Sequence, residues 1–275
     1  MLRREAQAAA EKALPTAPEA TRFPPAPPNA RLAVIELKQR SLQMLHSDLI
    51  LRNPLRSLEG TAENLLTPGG FGAVLARAGV GKTAFMVQLA LYSLLQERNV
   101  LHISLDDSVK KVRLWYEEVF RAVAESYERP QIQAVWDAAL PHRFIMTFKV
   151  EGFSVPKLQE RLTDLTEQGI FSPQVILIDG LPFTDGSRDT LQGLRDLAGR
   201  YGVPVWFTIT IHRHEEPGED GLPVQLAEVR DLFETALVLL PDGKDIHVQR
   251  LLGASPEAGN SPLVLDPSTM LLRER

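Results

Sequence analysis

Residues 76–83 have the types and the spacing of a loop that binds nucleotide phosphates. In such a loop the backbone N–H groups converge on a phosphate, a lysine reaches the β and γ oxygens, and a Ser or Thr hydroxyl ligates Mg²⁺. Lys82 and Thr83 hold these two places, while Ala76 stands where the strict pattern has glycine. We therefore predict ATP and Mg²⁺ as ligands, with contacts from Ala78, Gly79, Val80, Gly81, Lys82, Thr83 and Ala84.

An acidic residue, Asp179, ends the apolar run 175–178. Ligands of open α/β sheets lie beyond the carboxyl ends of the strands, so a carboxylate at this place is a candidate for chemistry. We predict that Asp179 holds Mg²⁺ directly or through water. The alternative is that Asp179 caps a turn before Gly180, as Asp often does.

Two further acids, Asp106 and Asp107, end the apolar run 100–105. One carboxylate there is expected to polarise the water that attacks the γ-phosphate, and Asp106 is the stronger candidate of the two. Because Asp is one methylene shorter than Glu, hydrolysis is expected to be slow. The alternative for Asp107 is that, with Ser108, it caps the helix that follows.

Continuous apolar runs predict the strands that position these residues, because parallel strands are buried on both faces. The predicted strands are 73–76, 100–105, 144–148, 175–178 and 205–209. Helices are predicted between them at 84–97, 108–127, 155–168 and 188–201. Crossovers of this length join parallel neighbours, so the fold class is α/β with helices on both faces of a mainly parallel sheet. Shorter segments at 237–240, 246–251 and 263–272 predict a small antiparallel C-terminal extension.

The composition is that of one main globular domain. Hydrophobic residues make up 44% of the 275 residues, and a formal charge of −5 excludes a general attraction to nucleic acid or anionic membrane. The absence of cysteine excludes disulfides and thiolate metal sites. Without a leader-like segment or an apolar run of membrane-spanning length, we expect a cytoplasmic protein with no membrane insertion.

Three regions are predicted along the chain. Residues 1–30 are rich in Ala and Pro and are expected to be a disordered tail. Residues 31–50 have apolar positions at helical spacing, and residues 51–275 contain the α/β domain. We expect residues 1–50 to engage a neighbouring subunit or protein partners, with packing of the helix on its own core as the alternative.

The loop 76–85 resembles the phosphate loop of DnaB-type replicative helicases, which also begins Ala-Arg and continues Gly-Lys-Thr. The strand 100–107 resembles the next strand of that RecA-like core, which ends in a catalytic Glu in DnaB-type proteins and in paired Glu in KaiC-type proteins. Here both acids are Asp.

Two later segments extend the resemblance. The strand 203–210 is similar to one that ends in a γ-phosphate-sensing residue, and Thr210 occupies that position. The segment 248–250 is similar to a Lys-x-Arg segment that reaches the ATP of a neighbouring subunit, and Arg250 matches although Val248 replaces the Lys. The resemblance implies a RecA-like P-loop ATPase core, catalytic roles for Lys82, Thr210 and Arg250, and a homo-oligomer.

The loops that would face DNA in a ring-shaped motor lack positive charge. The loop 212–221 is acidic, and the loop after Asp179 is nearly neutral. Because attraction to phosphates dominates nucleic-acid affinity, DNA translocation is disfavoured. A metal site is a weaker interpretation of this loop than solvated surface for His212, His214, Glu215 and Glu216.

We therefore expect a slow, Mg²⁺-dependent ATPase that acts as a conformational or assembly switch. Two alternatives remain open. The first is a DNA-dependent helicase or recombination accessory ATPase, and the second is a nucleotide-binding scaffold with negligible turnover.

Overall fold

The structure, a computed structural model, describes residues 28–59, 66–184, 186–212, 218, 221–253 and 263–274. The chain divides into two units, Met1–Ser41 and Leu42–Arg275. The helices are α1 (Pro28–Leu51), α2 (Arg56–Glu59), α3 (Lys82–Leu95), α4 (Val109–Val123), α5 (Arg129–Ala139), α6 (Val155–Glu167), α7 (Ser187–Tyr201) and α8 (Val224–Ala227). The strands are β1 (Phe71–Ala76), β2 (Val100–Ser104), β3 (Arg143–Thr147), β4 (Val175–Asp179), β5 (Val205–Thr210), β6 (Thr235–Asp242), β7 (Asp245–Leu252), β8 (Leu263–Leu265) and β9 (Leu272–Glu274).

The strands of the described residues form one sheet in the order β3-β2-β4-β5-β1-β6-β7-β8-β9. The strands from β3 to β6 in this order are parallel to one another, whereas β7, β8 and β9 are antiparallel to their neighbours. The carboxyl ends of β1, β2, β4 and β5 therefore meet at one edge of the sheet. Polar residues that follow these four strands are brought together there.

Two hydrophobic layers cover the sheet, because alternate residues of a strand point to opposite faces. Val74 and Leu177 pack on the face that carries α3, α4 and α5. Leu75 and Ile178 pack on the opposite face, with α6 and α7. Helix α3 is the most enclosed, since its residues from Ala84 to Leu95 are all buried. The helix that follows the phosphate loop is thus held firmly in the core.

The second half of α1 packs within the unit Leu42–Arg275. Leu45 and Leu49 are buried in the core cluster, and the Tyr127 hydroxyl donates a hydrogen bond of 2.5 Å to the Asp48 carboxylate. The compact unit consequently begins before residue 51, where the sequence placed the start of the domain. For residues 42–51 this is the arrangement of the alternative prediction, in which the helix packs on its own core. Of the predicted tail, residues 1–27 lie outside the described residues.

The predicted fold class is confirmed, and two details differ. The predicted helix 108–127 is shorter, as α4, and a separate helix, α5, follows it before β3. The segment 237–240 belongs to β6, which pairs parallel to β1 instead of joining the antiparallel extension. The chain between β5 and β6 contains α8, so it is long enough to return to the starting edge of the sheet. None of the described helices is long and apolar enough to span a membrane.

Candidate nucleotide-binding site

The phosphate loop connects β1 to α3, as predicted. Gly81 precedes the first turn of α3 with φ 113°, and Gly79 has φ 79°, a left-handed conformation that costs glycine little. No side chain among the described residues caps the start of α3. The first N–H groups of a helix lack intrahelical partners, and the helix dipole favours negative charge there. The loop therefore fits a phosphate group.

Lys82 folds back over this loop. Its ammonium donates to the carbonyl oxygens of Ala76 and Arg77, at 3.2 Å in each case. Burial lowers the pKa of Lys82, and the nearby carboxylates of Asp179 and Asp106 partly offset this effect. The ammonium lies where it can exchange two carbonyl oxygens for phosphate oxygens.

Asp179 and Thr83 are in direct contact. The Thr83 hydroxyl donates to Asp179 Oδ2 at 2.9 Å, and Asp179 is only 7% exposed. A hydroxyl and a carboxylate oxygen so close together are hard oxygen donors, which is the ligand type that Mg²⁺ prefers. The two residues predicted to hold the metal are therefore adjacent and fit it.

A residue that the sequence analysis missed, Thr208, fixes the other oxygen of Asp179. The Thr208 hydroxyl donates to Asp179 Oδ1 at 2.6 Å and accepts from the backbone N–H of Gly180 at 3.0 Å. Thr208 is itself buried, at 3% exposure. A polar residue inside the apolar run 205–209 was the signal that could have identified it. Both carboxylate oxygens of Asp179 are thus oriented by threonine hydroxyls.

Asp106 lies beside Asp179 at the same edge. A Cβ atom added to Gly180 would overlap Asp106 Oδ2, so the carboxylate rests directly against this glycine, which has φ +84°. Partial burial raises the pKa of Asp106, and the like charges of Asp179 and Asp107 add to the rise. Asp106 is thus the predicted base that the structure places among Lys82, Thr83 and Asp179.

Asp107 has another partner. Its carboxylate accepts from the Lys111 ammonium at 2.7 Å, one turn along α4, and its N–H donates to Ser104 Oγ at 3.0 Å. Ser108 caps α4 by accepting from the Lys111 N–H at 3.4 Å. This arrangement corresponds to the capping alternative for Asp107 and Ser108 rather than to a catalytic role.

Thr210 and Arg250 are less closely tied to the loop. Thr210 is exposed at the end of β5, in register with Ala76 at the end of β1. Arg250 lies on β7 in register with Leu237, and its Nη2 donates to the Leu58 carbonyl oxygen at 2.7 Å. The structure thus gives Arg250 a partner within its own chain. His212 is exposed, whereas 213–217 and 219–220 lie outside the described residues.

The β8–β9 hairpin (263–274) touches the phosphate loop, which no sequence signal indicated. A Cβ atom on Gly81 would be 2.7 Å from Leu265 Cδ2 and 3.4 Å from Met270 Sδ. The hairpin lies on the β6 side of β1, whereas Asp106 and Asp179 lie on the β5 side. The loop is therefore flanked by acids on one side and by apolar side chains on the other.

Comparison with known proteins agrees with this geometry. The family described as AAA domain matches residues 36–208. Among solved structures, the chain is similar to the ATPase domain of a DnaB-like helicase, with a TM-score of 0.55 and 17% sequence identity over 76% of this chain and 86% of that chain. No curated protein matches the chain. At this identity the structural likeness shows the fold, and with the family match it confirms the predicted RecA-like P-loop ATPase core of the DnaB type.

Proposed function

Because the chain belongs to the AAA domain family, we propose that it binds ATP and hydrolyses it slowly in the presence of Mg²⁺. The observation that carries this proposal is the contact between Thr83 and Asp179, 2.9 Å apart, next to Lys82 and Asp106. Phosphate, metal and water ligands are thereby collected at one edge of the sheet. We further propose that the hydrolysis cycle serves as a conformational or assembly switch.

Each of these residues has a distinct task in the proposed reaction. The start of α3 and the Lys82 ammonium bind the β and γ oxygens and offset charge that develops on them. Thr83 and Asp179 hold Mg²⁺, which bridges phosphate oxygens and neutralises their charge. Asp106 accepts the proton of the attacking water, and its raised pKa brings its basicity closer to neutral pH.

Slow turnover follows from the reach of Asp106. Its side chain is one methylene shorter than Glu, and its carboxylate already rests against Gly180. A general base must come within hydrogen-bond reach of the water, so a short and confined carboxylate acts less efficiently. A long-lived ATP-bound state is what a switch between two conformations or assemblies requires.

A homo-oligomer is part of this proposal, with protein partners engaged through residues 1–50. In an oligomer, Arg250 would contribute to a neighbour's site only after releasing the Leu58 carbonyl. DNA-dependent helicase activity is the alternative that the fold shared with the DnaB-like helicase domain keeps open. The acidic loop 212–221, which disfavours DNA by its charge, lies mostly outside the described residues.

Turnover measured with and without single-stranded DNA, for the wild type and for Lys82→Ala, tests the proposal. We expect slow wild-type turnover that DNA does not stimulate and that Lys82→Ala lowers by about 10²–10³-fold, the usual cost of losing a charge-stabilising donor. Lys157→Ala is the matched control, because Lys157 is an exposed lysine on α6. Strong stimulation by DNA would favour the helicase alternative. Binding of Mg-ATP without turnover would favour the scaffold, and turnover unchanged in Lys82→Ala would exclude the site.

A further inference from the structure

Gln88 is a buried amide within α3 whose polar atoms all have partners. Its Nε2 donates to the Met270 carbonyl oxygen at 2.9 Å and to the Ala84 carbonyl oxygen at 3.2 Å. Its Oε1 accepts from the Leu272 N–H at 2.7 Å. The side-chain amide thus bonds the backbone of residues 270 and 272 as a neighbouring strand would. Glutamine is seldom buried so deeply, at 6% exposure.

The segment that Gln88 holds is a rigid turn. Asp266 Oδ1 accepts from the backbone N–H and the hydroxyl of Ser268, at 2.8 and 2.6 Å. The Met270 N–H donates to the Asp266 carbonyl oxygen at 2.7 Å, and the Asp266 N–H donates to the Leu271 carbonyl oxygen at 2.9 Å. Met270 has φ 56°, a left-handed conformation that costs a residue other than glycine about 1–2 kcal/mol. Such strain persists only where surrounding contacts hold it.

This turn places Met270 and Leu265 against Gly81. Among the described residues, these are the two side chains whose atoms lie within 4 Å of the position that a Cβ on Gly81 would occupy. Gly81 precedes Lys82 and Thr83, and its φ of 113° sets the direction of the helix start. The contacts therefore run from Gln88 through the β8–β9 hairpin to the phosphate loop.

We propose that Gln88 is a positioning residue of the nucleotide site. By fixing the β8–β9 hairpin on α3, it holds Gly81 in the conformation that binds phosphate. This inference rests on the proposed function, because it assigns Gln88 and the hairpin to the same ATP site. Asp106 and Asp179 lie on the other side of β1, so Gln88 acts on nucleotide affinity and not on the hydrolytic step.

The first test compares Gln88→Met with Gln192→Met, in which an exposed glutamine on α7 is changed in the same way. Losing two hydrogen bonds between α3 and the hairpin is expected to raise the Kd and KM for Mg-ATP about tenfold in Gln88→Met, with kcat unchanged. Gln192→Met is expected to match the wild type. A Kd equal in the two variants, or a fall in kcat at unchanged KM, would overturn the inference.

A second variant separates the hydrogen bonds from loss of packing. Gln88→Glu has the same shape, but its carboxylate cannot donate to the Met270 carbonyl, whereas its protonated form can. Burial raises the pKa of a carboxyl group, so the acid form is regained as the pH falls towards and below about 5. We expect Mg-ATP affinity of Gln88→Glu to recover relative to the wild type over this range. Gln88→Met should not recover, and an equal response of both variants would refute the role of the amide.

A double-mutant cycle tests the path through the hairpin. Met270→Ala removes the side chain at Gly81 but keeps the backbone carbonyl that Gln88 binds. If the two residues act in series, the double variant Gln88→Met/Met270→Ala loses no more affinity than the weaker-binding single variant. Additive losses would refute the path. Failure of the wild type to bind Mg-ATP would instead refute the proposed function itself.

Discussion

The hydroxyl of Thr208 should be worth more to this protein than any other threonine hydroxyl described above. It makes two buried hydrogen bonds, one to the Asp179 carboxylate at 2.6 Å and one from the Gly180 N–H at 3.0 Å. Thr208→Val keeps the side-chain shape but leaves both groups without this partner. A hydrogen bond to a charged group contributes about 1.5–3 kcal/mol, and a neutral one about 0.5–1.5 kcal/mol. We expect the free energy of unfolding to fall by about 2–4 kcal/mol.

The same change should loosen the metal site. Outer partners that orient a metal ligand typically account for about 10–100-fold in metal affinity. We therefore expect the Mg²⁺ concentration for half-maximal ATP turnover to rise by roughly tenfold or more in Thr208→Val. Denaturant unfolding and a Mg²⁺ titration of turnover measure the two effects separately.

Two controls isolate the hydroxyl. Thr208→Ser keeps the donor and acceptor and should retain the wild-type Mg²⁺ requirement. Thr166→Val removes a hydroxyl that donates only within α6, to the carbonyls of Leu162 and Thr163, and should change the stability by less than about 1 kcal/mol. If Thr208→Val and Thr166→Val behave alike in both assays, the reasoning about Asp179 is wrong.

Three further outcomes are expected. Gly180→Ala should lower turnover, because the added Cβ would displace the Asp106 carboxylate, whereas Gly202→Ala adds a Cβ at a similar positive φ in open space and should cost stability alone, about 1–2 kcal/mol. Asp106→Asn should lower turnover by about 10²-fold or more and raise Tm at neutral pH. The folded-state pKa of Asp106 is raised, so its ionisation costs stability above the unfolded pKa of about 3.9, and the gain in Tm should vanish below that pH. Arg250→Met should lower the free energy of unfolding by about 1 kcal/mol through loss of the Leu58 contact, and a fall in turnover of about a thousandfold at unchanged Mg-ATP affinity would show that Arg250 acts on a neighbouring subunit's site.

Local pattern was sufficient to predict the parallel core and the phosphate loop. The strands after Ala76, Ser104 and Asp179 end in residues whose chemistry is visible in the sequence, and topology alone brings them to one edge. The parallel pairing of β6 was not predictable in this way. Its apolar run resembles those of the antiparallel strands after it, and its direction depends on where the preceding chain crosses the sheet.

The missed site residues have their partners far away in sequence. Thr208 and Asp179 are 29 residues apart, and their hydrogen bond depends on the register between β4 and β5. Gln88 and Met270 are 182 residues apart. A glutamine within an apolar helix shows only that a buried partner must exist, because the hydrogen-bonding rule does not say where that partner lies. Asp107 illustrates the opposite error, since Lys111 was in reach within one helical turn.

The separation between Gln88 and the β8–β9 hairpin also has a consequence for biosynthesis. Ribosomes add about 5–20 residues per second, so the phosphate loop is made about 10–35 seconds before the hairpin that contacts it. During that interval the nascent chain carries a helix start that attracts phosphate but lacks the apolar wall at Gly81. Full nucleotide affinity is therefore acquired late in synthesis, after the last strands of the sheet have paired.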